Sequence, residues 1–94
     1  MSERTVRVDA LPESVVALLH AVYDALDIPL PGLTDADERE HAALLQRRCG
    51  NSLTILGCVL DDKHDIAPAA ATLRRWTAEQ PVTYTPWAGD GSAA

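Results

Sequence analysis

The stretch TDADEREHAALLQRRCGNSLTILGCVLDD, residues 34 to 62, constrains the fold most, because it reads as one helix too long for its neighbours to cover. Thr34 is a good N-cap residue, and Asp37 three positions on can reach back in a variant of the capping box. Asp35, Asp37 and Glu38 set negative charge against the positive end of the helix dipole. Ala42, Leu45, Cys49, Leu53, Leu56 and Leu60 then recur at spacings of three and four, which places them on one narrow face. The competing reading is a break, with Gly50 ending one helix and Ser52 capping another. The stripe keeps its phase through Gly50, which favours one unbroken helix of roughly 40 Å at about 1.5 Å per residue.

The second half of this helix differs from the first. From Leu53 to Leu60 apolar side chains cover well over half the circumference, and Gly50 and Gly57 share a face where another backbone can approach. The first half carries Arg39, Glu40, Gln46, Arg47 and Arg48 and looks solvated. His41, Leu44 and Arg48 lie on the face that Ile55 and Val59 continue, an arrangement expected where long helices cross and polar groups fix their register.

Two shorter helices flank it, over residues 11–27 and 66–79. In the first, Val15, Leu18, Leu19, Val22 and Leu26 form the expected buried stripe, flanked by Val16 and Tyr23. In the second, Ile66, Ala69, Ala70, Leu73 and Thr77 face inward with Trp76 at the edge. Asp9 before Pro12 and Asp65 before Pro68 suggest an aspartate cap and a first-turn proline for each. Ile28-Pro29-Leu30-Pro31-Gly32-Leu33 cannot be helical and reads as a stiff apolar strap. Asp61 to Asp65 is short enough to make the second and third helices an antiparallel hairpin.

After Pro81 the segment 81–87 alternates in extended form. Val82, Tyr84 and Trp87 either pack back on the bundle or add to a partner; pairing with Thr5 to Val8 is a further option. Residues 88–94 are expected to be disordered. The reading is thus all-α: a three-helix bundle or helical hairpin on one long central helix, in a single domain spanning 1–87 with an extended C-terminal tail.

Composition narrows the function. With 94 residues, 47% hydrophobic and no Phe, the chain must rely on aliphatic packing between helices. A formal net charge of −6 argues against nucleic acid as the main partner, since phosphate binding needs a positive surface. No apolar run approaches the ~20 residues that span a bilayer, and MSERTVRVDA lacks the apolar region of a signal peptide, so a cytoplasmic location is expected. Cys49 and Cys58 point to opposite sides of one helix and are expected to be reduced core thiols.

At IPLPGLTDADEREHAALLQRR and the terminal PVTYTPW the chain resembles a group of small helical proteins from high-GC actinobacterial genomes, some in phage-like or mobile elements. The resemblance spans about Leu18 to Trp87 and implies a provenance, with no activity and no site residue.

Chemistry is sparse. His20 with Asp24, and Asp37 with His41, are four apart on helix faces, but zinc wants three or four ligands. His64 sits among Asp61, Asp62 and Asp65 without the alternating ligands of a calcium loop. No nucleophile has an obvious base and no phosphate loop is present, so neither an enzyme, a cofactor nor a metal is expected. The expected function is a small interaction or adaptor protein, a homodimer through the long helix, with Gly50, Leu53, Ile55, Gly57 and Val59 at the contact and Tyr84 and Trp87 offered by the tail. The alternatives are a metal- or ligand-binding protein using the histidine and carboxylate clusters, or a phage-type regulator that binds a host protein through its acidic face or its tail.

Overall fold

Thr34 opens the long helix as its side chain implies, its Oγ1 accepting the Asp37 amide at 3.0 Å. The structure, a computed structural model that describes residues 6–88, contains α1 (Glu13–Leu26), α2 (Asp35–Leu60) and α3 (Ile66–Glu79), after a single 3-10 turn at Val8–Ala10. It is an all-α three-helix bundle, and α2 runs unbroken through Gly50. The expected ends of all three helices fall within a turn of those observed. Of residues 88–94, expected to be disordered, all but Ala88 lie outside the described residues.

The caps differ in detail. Asp37 does not reach back to complete a capping box; its Oδ1 accepts the Thr85 amide at 3.1 Å instead. Asp9 lies in the 3-10 turn rather than capping α1, whose N-cap position is taken by Pro12. The proline carbonyl accepts the Val15 and Val16 amides, both at 3.1 Å. Asp65 does occupy the N-cap of α3, without a side-chain bond.

Between α2 and α3 the chain reverses within residues 61–65. Lys63 adopts the left-handed region at φ 60°, its Nζ donates to the Leu60 carbonyl at 2.8 Å, and the His64 amide returns to the Cys58 carbonyl at 3.0 Å. These bonds satisfy carbonyls that a helix end leaves open. The reversal lays α3 antiparallel along the second half of α2. α1 runs the same way as α3, so the two short helices are parallel neighbours whose C-terminal ends meet beside Arg48.

Leu18, Ala21, Ala25, Ile55, Ala69, Ala70 and Leu73 form the core, with Val22, Leu56, Val59, Ile66 and Trp76 packed around it. The α3 stripe is the expected one. The α1 stripe is not: Leu18 is buried, but Leu19 and Leu26 are exposed, and the deepest positions are Ala21 and Ala25. Alanine lets α1 and α3 approach closely, and that contact turns the larger leucines of α1 outward.

The buried face of α2 is Leu44, Arg48, Ser52 and Ile55, the mixed face of the sequence rather than the leucine stripe. Among the described residues its first half is clasped by the strap and the tail rather than by a helix. Pro31 and Pro86 pair in an antiparallel bridge, flanked by Gly32 N to Thr85 O and Trp87 N to Leu30 O, both 2.8 Å. In this pairing the bridged residues direct their own backbone groups outward, so two prolines lose no ladder bond and leave an edge poor in donors. Tyr84, buried, donates its hydroxyl to the Pro29 carbonyl, and Thr83 Oγ1 donates to Glu40 Oε1 at 3.0 Å. Among the described residues the tail therefore pairs with the strap; of the alternative partner, Thr5 to Val8, Thr5 lies outside the described residues and Val8 opens the 3-10 turn.

Candidate interaction face

The leucines whose periodicity marks the sequence lie together on the outside. On α2, Leu53 is 74% exposed and Leu60 64%; on α1, Tyr23 is 63% exposed and Leu19 and Leu26 are half open. Ala42 and Cys49 of the same α2 stripe are exposed too, and only Leu45 and Leu56 are partly covered. Leu56 walls an open valley of about 490 Å³ between α1 and α2 together with Leu19, Val22, Tyr23, Leu26 and Asp27. One face thus presents a ridge, Leu53 and Leu60, beside a groove whose lining holds a single charge.

This placement sorts the expected contact residues. Leu53, Gly50 and Gly57 stand on the outer side of α2. A Cβ on Gly50 would meet nothing within 4 Å, and on Gly57 only Asp61 Oδ2 at 4.0 Å, so the chain's own packing requires neither glycine. Ile55 and Val59 are corrected: Ile55 is buried in the core and Val59 packs against it, so both serve the chain's own bundle. They belong to the face continued by Leu44 and Arg48, which points at α1 and α3. Tyr84 is corrected likewise, being buried beneath the strap, whereas Trp87 remains half exposed beside Leu30.

Arg48 is the residue whose importance the sequence understates. Only 5% exposed, it donates from Nη1 to the carbonyls of Ala25 (3.1 Å) and Asp24 (3.4 Å) and from Nη2 to that of Gln80 (2.7 Å). Those carbonyls end α1 and α3, where both helix dipoles turn their negative poles. A cation there offsets the cost of laying two helices parallel. Burial lowers the Arg48 pKa from its ordinary value, with Tyr84 acting the other way, and raises the phenol of Tyr84, with Arg48 opposing.

The histidines do not converge. His41 packs edge-on against Tyr84, with ring centroids 5.5 Å apart and planes at 85°, while His20 and His64 are exposed on separate parts of the surface. Among the described residues no group of three or more His, Cys, Asp or Glu could hold a metal ion. Both cysteines are free thiols, but Cys49 is exposed rather than in the core. Among the described residues no helix is long and apolar enough to cross a membrane.

Fold and face together define a small helical bundle with an uncovered apolar side. No family model, curated protein or solved structure matches the chain.

Proposed function

We propose that this chain is a small non-enzymatic interaction or adaptor protein that acts as a homodimer through the outer side of α2. The observation that supports the reading is the uncovered ridge of Leu53 and Leu60, flanked by glycines that the monomer does not need. Exposed leucine costs free energy in water, roughly 25 cal/mol for each Å² left uncovered, and a second chain removes it. The buried Tyr84 and the proline-blocked edge favour this mode over strand addition by the tail.

Light scattering on a size-exclusion column, over a wide concentration range, tests the reading. The expected mass is twice the 10.1 kDa of one chain. Gly57→Leu, which puts a bulky side chain on the outer side of α2, is expected to weaken the dimer while leaving the helical content intact. A wild-type chain that stays monomeric throughout overturns the proposal.

A further inference from the structure

Three buried polar atoms have no hydrogen-bond partner among the described residues: Arg48 Nε, Ser52 Oγ and Thr77 Oγ1. Neither hydroxyl turns back to a carbonyl of its own helix, the ordinary resort of a serine or threonine in mid-helix. A buried polar group left unpaired loses its hydration with nothing in return, so three of them in one small core need a common explanation.

The register of the bundle brings the three together. Arg48 reaches the Gln80 carbonyl and Asn51 the Gln80 side chain, so this level of α2 faces the end of α3. The two helices are antiparallel; Ser52, one turn on from Arg48, therefore lies opposite Thr77, about one turn back from Gln80. The guanidinium is planar, and its Nε–H shares an edge with Nη2, which already points to α3. From the other side, Asp24 and Thr77 line a small cleft of about 180 Å³ with Ala21, Arg74 and Ala78, and the Asp24 carbonyl is itself an Arg48 acceptor.

Charge decides what fits there. The C-terminal ends of α1 and α3 each present roughly half a negative charge, and together they offset the single positive charge of Arg48. An anion would leave this interior site negative, and a cation would meet the Nε–H donor. A neutral molecule that accepts from Nε–H and pairs with two hydroxyls is required, and a buried water makes about three such bonds. We propose that one water molecule is bound inside the bundle, bridging Arg48 Nε, Ser52 Oγ and Thr77 Oγ1 and entering through the cleft beside Asp24 and Arg74. With the guanidinium it makes one polar network that joins all three helices.

Magnetic relaxation dispersion of water oxygen tests this, because it counts the waters a protein holds for longer than it tumbles. Thr77→Val keeps the shape of threonine and Ser52→Ala removes only a hydroxyl. Each is expected to hold one such water fewer than wild type, with helical content by circular dichroism unchanged. Their shifts of the urea midpoint are expected to overlap, the double variant moving little further than either single one, because both hydroxyls bond the same molecule. A variant that folds and keeps the full count overturns the proposal, as do additive shifts. A bromide NMR line that wild type broadens and Thr77→Val does not also overturns it, since the site would then hold an anion. Should one variant fail to fold, the count on the other decides.

Discussion

Arg48 Nη2 donates to the Gln80 carbonyl at 2.7 Å while Nη1 of the same guanidinium reaches Ala25 on the other short helix, so one side chain ties two helix ends to the middle of a third. Replacing it by Met removes charge-assisted bonds and leaves buried carbonyls without a donor, a loss of about 3 kcal/mol. Urea unfolding of Arg48→Met should show that loss. Arg48→Lys should recover less than half of it, since a single ammonium lacks the planar fork that spans both helix ends. Stability within about 0.5 kcal/mol of wild type for either variant contradicts this role.

The tail is part of the fold. Truncation after Gln80 removes the Tyr84 ring, its bond to Pro29 and both bonds of the bridge. A cost of about 3 kcal/mol is expected, from one buried aromatic and several hydrogen bonds. Hydrogen exchange should show the loss concentrated in residues 35–47, which the strap and the tail clasp. Unchanged protection there would mean that the clasp contributes nothing.

Tyr84 gives the chain an alkaline limit. Its folded pKa lies above the ordinary 10.0 because burial disfavours the phenolate. The corresponding stability is fully present below the unfolded value and is lost as pH rises through the folded one. Denaturant midpoints measured between pH 8 and about 11 should therefore fall at the alkaline end in the wild type. Tyr84→Phe should be less stable at neutral pH by about 1 kcal/mol and show a flatter alkaline limb. Parallel limbs would assign the loss to another group.

Two glycines should respond in opposite directions. A Cβ at Gly32 would lie 2.8 Å from Asp37 Oδ2 and 3.1 Å from the Thr85 carbonyl, so Gly32→Ala must displace the clasp and is expected to cost about 1–2 kcal/mol. Gly50→Ala meets open space within its own chain, so at concentrations too low for the proposed dimer it should stabilise the helix by about 0.5–1 kcal/mol. Thermal unfolding of the pair in dilute solution decides it; a Gly50→Ala variant destabilised there would show that the chain itself crowds that position.

The helices were legible because each carries its own local signals: Thr34 as a cap, the prolines that exclude helix from 28–33, and the short run from Asp61 to Asp65. The inward face of α3 was legible too, whereas leucine periodicity misplaced Leu19 and Leu26 on α1, and the contact expected on α2 misplaced Ile55 and Val59. Periodicity ranks side chains by size, whereas Ala21, Ala25, Ala69 and Ala70 are buried because they are small enough for two helices to meet. On α2 the deciding residue is charged. Arg48 is buried because two helix ends supply its carbonyls, and those come from residues 23 and more positions away in the chain. The mixed face of His41, Leu44 and Arg48 was visible in the sequence, and it gave the better guide to the core.

The proposed dimer has an electrostatic signature that separates it from one held by ion pairs. Each chain carries a formal charge of −6, so two copies repel at long range, while the face they would share is apolar. Salt shortens the Debye length from about 30 Å at 0.01 M to about 8 Å at 0.15 M and screens that repulsion without weakening apolar contact. Dimer affinity measured by sedimentation equilibrium should therefore rise several-fold over this range and level off beyond it. Affinity that falls with salt would point to charged groups at the contact, and the leucine face would no longer account for it.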